Sequence, residues 1–82
     1  MKVHTQHASY LNKVVYHAFN LKTALITGNQ AEIEKSYDKT MYFINRELEG
    51  YGAQAMEDLY VKLDPELTAA ILEAEELLAE EL

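Results

Sequence analysis

His4 and His7 stand three residues apart, a spacing that puts two imidazoles on one turn of a helix, and His17 follows along the same stretch. Two imidazoles on a turn are half of a zinc site, which takes about four ligands. The chain has no cysteine, and its carboxylates fall at no recognisable ligand spacing from these histidines, so no metal is expected. The pair at 4 and 7 reads as histidines on a fraying end, with a solvent-facing or packing role. His17, between Tyr16 and Ala18, reads as a surface or boundary residue rather than a general base.

Nucleophilic catalysis needs a hydroxyl coupled to a base that a third group orients. The serines, Ser9 and Ser36, each fall inside a helical pattern and lack that context. The glycines, Gly28, Gly50 and Gly52, sit at helix boundaries and form no phosphate-cradling loop. Carboxylates are abundant, but they follow surface periodicity, from which no acid–base pair can be read. We therefore expect neither a catalytic residue nor a cofactor.

Binding chemistry is better represented. Six tyrosines accompany no tryptophan, and tyrosine combines a large contact area with a polar tip that suits interfaces and stacking. Tyr37 and Tyr60 fall on apolar stripes and are expected in the core or at its boundary. Tyr10, Tyr16, Tyr42 and Tyr51 lie at stripe margins or near turns and are the candidates for a contact surface. A second candidate is the row Glu66, Glu73, Glu76 and Glu80, which gathers on one side of the last helical segment. Like charges at these spacings cost a few tenths of a kcal/mol per pair, so the row either solvates an outer face or steers a partner with a basic surface.

The elements that position these groups are legible from period and punctuation. Over residues 5–27, Leu11, Val14, Ala18, Leu21 and Leu25 recur at threes and fours, with Val15 and Ile26 widening the stripe. Gly28 ends this helix, and Asn29 with Glu32 three residues on makes a capping-box spacing for the next, so the two helices form an antiparallel hairpin over 5–49. The second carries Ile33, Tyr37, Met41, Ile44 and Leu48, with Tyr42 and Phe43 beside them. Gly50-Tyr51-Gly52 predicts a break, followed by a short helix at 53–63 with Met56, Leu59, Tyr60 and Leu63 inward; one long bent helix is the alternative.

Asp64-Pro65-Glu66 is the sharpest signal in the chain: an aspartate cap, a proline where a missing amide costs nothing, and an acid facing the positive end of the helix dipole. The helix it opens, at 65–82, sets Leu67, Ala70, Ile71, Ala74, Leu77, Leu78 and Leu82 along one arc. That arc could pack on helix 1 of the same chain, drawing on Lys13 and Lys22, or on a second copy. The expected fold is therefore all-α, a small antiparallel helical bundle in a single domain covering 1–82.

Composition narrows the function. The net charge of −7 is matched by the seven acids and no base of residues 64–82, while residues 1–31 hold only Lys2, Lys13 and Lys22. Three lysines neutralise few phosphates and the acidic end repels a nucleic-acid backbone, so direct nucleic-acid binding is not expected. The opening MKVHTQHASYLNK lacks the apolar run of a signal peptide, and no stretch reaches the roughly 20 apolar residues of a membrane span. The cytoplasm is the expected location, with no membrane partner. A chain this short without a staple has a marginal core, which makes a homo-oligomer an expectation.

Met56, Leu59, Tyr60, Lys62 and Leu63 are similar to the end of the long helix in the small Hha-type nucleoid modulators. Confined to residues 56–63, with that family's central Ala-Asp-His-Arg stretch absent, the resemblance implies a helical fold and binding to another regulator. The expected function is an acidic protein–protein interaction module of bacterial or phage type, an inhibitor, adaptor or antitoxin-like protein that occupies its partner. Two other readings stay open: an oligomeric binder of a nucleotide-like ligand, using Tyr and His at a subunit boundary, and a nucleic-acid mimic using the acidic face of the last helix.

Overall fold

A computed structural model describes the backbone of residues 2–80 and the side chains of residues 9–80. The chain forms four helices, α1 (Lys2–Thr27), α2 (Gln30–Tyr51), α3 (Ala53–Lys62) and α4 (Pro65–Glu80), with no strand among the described residues. None of these helices is long and apolar enough to cross a membrane. The side chains of His4 and His7, and all of Leu82, lie outside the described residues.

Each junction is made by the residue its chemistry favours. Gly28 takes φ +73°, and its amide donates to the Ala24 carbonyl at 2.9 Å, closing α1 in a conformation an L side chain resists. One residue on, the Asn29 side chain accepts from the Glu32 amide at 3.2 Å and opens α2. The break falls at Gly52, with φ +57°, whereas Gly50 stays helical inside α2. Asp64 caps α4 by accepting from the Leu67 amide at 2.8 Å, and Pro65 is the first helical residue.

Packing joins these pieces into an up-down-up bundle whose third rod is broken. Leu59 of α3 meets Leu11 and Val14 of α1, while Leu67, Ile71 and Ala74 of α4 join Ala18, Leu21, Ala24 and Ile33. As residue numbers rise along α3 and α4, those of their α1 neighbours rise too, so the broken rod runs alongside α1 and against α2. Leu63 touches both clusters and bridges the break. The longest dimension, 40 Å, is that of α1 alone, since 26 residues at about 1.5 Å each span about 39 Å.

Several residues sit differently from what periodicity predicts. On α2, Ile33 of the apolar stripe is buried as expected, but Tyr37, Met41, Ile44 and Leu48 are only half-buried, and the other buried residues are Ser36, Thr40 and Glu47. α2 packs against both α1 and the third rod, which also pack on each other, and Tyr37, Met41 and Ile44 are half-buried against the core cluster that all three share. Thr40 satisfies its hydroxyl on the Ser36 carbonyl at 2.7 Å, which makes its full burial tolerable.

On α3 the inward arc is Ala55 and Leu59, with Leu63 half-buried just beyond, so Met56 and Tyr60, turned by about 100° per residue, are 60% and 88% exposed. Tyr60 is thus a surface residue, not the core or boundary residue its stripe suggests. Ile26, expected to widen the α1 stripe, is 78% exposed. Leu77 is exposed and Leu78 only half-buried because Ala24 and Ile33 lie within about a turn of the hairpin loop, and α4 has passed its cover by its last turns.

Candidate functional site

Two surfaces carry the residues singled out for binding, and they lie on different helices. The first is the outer face of α4. Its cap and proline fix where the helix begins, and that phase sends Leu67, Ala70, Ile71 and Ala74 inward and Glu73, Glu76 and Glu80 outward. Glu66 behaves differently from the other three. Its carboxylate pairs with the Lys22 ammonium of α1, and this contact raises the Lys22 pKa, chiefly through their hydrogen bond. Of the sequence row, one glutamate therefore serves a contact within the chain while Glu73, Glu76 and Glu80 have no ion-pair partner among the described residues.

Lys13, the other lysine expected to serve α4, lies instead over the Phe43 ring at 5.3 Å. Beside the Lys22–Glu66 pair, α1 and α4 enclose an open groove of about 460 Å³ along Leu25, Ile26, Ala69 and Glu73. Leu72 is 57% and Leu77 37% exposed on α4, and at about 100° per residue they flank the acidic row on its two sides.

The second surface lies on the α1–α2 hairpin. His17 stacks parallel to Phe43, with centroids 5.5 Å apart and planes at 2°. Tyr16 meets His17 edge-on at 5.1 Å and 78°, and Tyr42 meets Phe43 edge-on at 5.0 Å and 84°. Tyr10 lies 6.4 Å from Phe43 and hydrogen-bonds the Arg46 guanidinium, which raises the pKa of Arg46. Tyr51 is the neighbour of Tyr10 and of the fully buried Glu47; burial first, then the charge of Glu47, pushes its phenol upward. All four tyrosines predicted to form a contact surface thus meet in one cluster.

The sequence reading missed His17, Phe43, Lys13, Lys39 and Arg46 as members of that cluster. Their signal was the helical period: residues 10, 13 and 17 share a flank of α1, and 39, 43 and 46 share a flank of α2. Burial, then the charges of Lys39 and Lys13, hold the His17 pKa below its ordinary value, so its imidazole is neutral at pH 7. Lys13 and Lys39 have no carboxylate within ion-pair distance among the described residues, and Arg46 meets Glu49 at 3.7 Å. The surface is cationic on a chain whose net charge is −7.

Among the described residues no three His, Asp or Glu are grouped to hold a metal ion. Ser9 is exposed, and Ser36 is buried. No protein-family model matches this chain, and neither the curated proteins nor the solved structures contain a match to it.

Proposed function

We propose that the chain is a non-catalytic protein-binding module that occupies a partner through the outer face of α4, and that the partner presents a basic surface. One observation carries this reading: Glu73, Glu76 and Glu80 are exposed without an ion-pair partner among the described residues, and exposed Leu72 and Leu77 share their helix. A face that only keeps a protein in solution gains nothing from exposed leucines beside its acids. A docking face needs both, since charge steers the encounter and apolar area supplies affinity. An inhibitor, adaptor or antitoxin-like role follows from binding without chemistry. Copies of the chain are proposed to self-associate, a reading supported by exposed Phe19 and Ile26 as well as Leu72.

The test is affinity capture from lysate of the cells that make the protein, comparing the wild type with the combined Glu73→Lys, Glu76→Lys and Glu80→Lys variant. These side chains face solvent, so helicity by circular dichroism is retained. Capture of a specific protein by the wild type and its loss in the variant support the reading. Undiminished capture by the variant assigns the glutamates to solubility alone.

A further inference from the structure

We propose that the aromatic and cationic surface of the α1–α2 hairpin is a binding site for a mononucleotide, with its base against the tyrosine rings and its phosphate among Lys13, Lys39 and Arg46. The site is independent of the α4 face and is formed within one chain.

Four rings run across the hairpin in the order Tyr16, His17, Phe43, Tyr42, with successive centroids 5.1, 5.5 and 5.0 Å apart. The inner two are parallel and half-buried, and the outer two stand nearly perpendicular to them, 63% and 57% exposed. The row leaves aromatic surface open to solvent at Tyr16 and Tyr42. A purine or pyrimidine can stack on such a surface because every base has a π face of its own.

Lys39 and Arg46 lie seven residues apart on α2, about 10 Å at 1.5 Å per residue, and Lys13 comes across from α1 to sit over Phe43. Three positive charges on one face repel one another. α1 contains no Asp or Glu to relieve them, and Arg46 alone is paired, with exposed Glu49. A phosphate is the counter-ion this arrangement lacks, and Arg46 offers it a planar fork of donors. His17, neutral at pH 7, adds a hydrogen-bonding ring to the aromatic row without adding to the repulsion.

A single nucleotide suits this surface and a nucleic-acid strand does not. Three cations match one phosphate group, whereas a strand needs a basic track several phosphates long on a chain that here carries net charge −7.

The experiment is a nuclear magnetic resonance titration of the full chain with adenosine monophosphate, adenosine and inorganic phosphate, each separately. The expected result is saturable shifts at His17, Tyr16 and Tyr42, with the monophosphate bound about tenfold more tightly than either half alone. The combined Lys13→Glu and Lys39→Glu variant, altered only at exposed positions, should lose about tenfold or more of that affinity. The Glu73→Lys, Glu76→Lys and Glu80→Lys variant should bind the nucleotide as the wild type does, which separates this site from the α4 face. The proposal is overturned if the monophosphate does not saturate, if inorganic phosphate binds as well, if the lysine variant keeps its affinity, or if oligoadenylates bind more tightly with each added nucleotide.

Discussion

Replacing Asp64 by alanine removes the hydrogen bond that starts α4 and leaves Pro65 in place. The carboxylate accepts from the Leu67 amide at 2.8 Å, and Leu67 is itself 6% exposed, so without the cap that amide is left in a largely buried turn. Loss of an N-cap costs about 1 kcal/mol, within a range of roughly 0.5–2 kcal/mol. For a domain of this length that is a fall in melting temperature of about 4–8 °C. Asp64→Asn separates the two parts of the effect. The amide oxygen can still cap, so Asn should lose only the charge–dipole contribution, about 0.3–1 kcal/mol. The assay is urea and thermal unfolding followed by circular dichroism, with Asn29→Ala as a comparison because its bond to the Glu32 amide is longer, 3.2 Å. A ranking of wild type above Asp64→Asn above Asp64→Ala is expected. An Asp64→Ala variant as stable as the wild type would refute the claim that this cap sets the phase of α4.

Three further predictions follow from local geometry and charge. Gly28→Ala should destabilise by about 1–2 kcal/mol, because φ there is +73°, whereas Gly50→Ala, inside a helix with open space around it, should stabilise by about 0.5–1 kcal/mol; denaturant titration of both variants decides. His17 has a depressed pKa in the folded chain, so its contribution is present above the unfolded value of about 6.5 and is lost as pH falls below it; wild type should lose stability relative to His17→Gln between about pH 7 and 5. Sedimentation equilibrium should show a concentration-dependent mass that Leu72→Ser and Ile26→Ser reduce, and a monomer mass at high concentration would remove the proposed self-association.

The helices were legible because their start and stop residues act locally. Gly28, Asn29, Gly52, Asp64 and Pro65 each force or satisfy a backbone geometry within a turn of themselves, so sequence spacing was enough to place them. Which face of a helix turns inward depends on distant neighbours, and here the reading was incomplete. α2 packs against both α1 and the third rod, so more of its surface is covered than its apolar stripe marked, and the buried line of Ser36, Thr40 and Glu47 stayed unseen. α3 is only ten residues long, and its phase is set by how the chain re-enters at Gly52 and leaves toward Asp64, which turned Met56 and Tyr60 outward. The tyrosines of the contact surface were picked out one by one. Their union with His17, Phe43 and three cations arises only when α1 and α2 lie side by side.

The docking claim for α4 is tested most directly by hydroxyl-radical footprinting of the chain alone and in complex with its captured partner. Leu72 and Leu77, oxidised in the free chain at their exposed side chains, should be protected in the complex, while Met56 and Tyr60 on α3 keep their reactivity. Protection confined to Tyr16 and Tyr42, with Leu72 and Leu77 as reactive as before, would contradict it and move the partner to the hairpin.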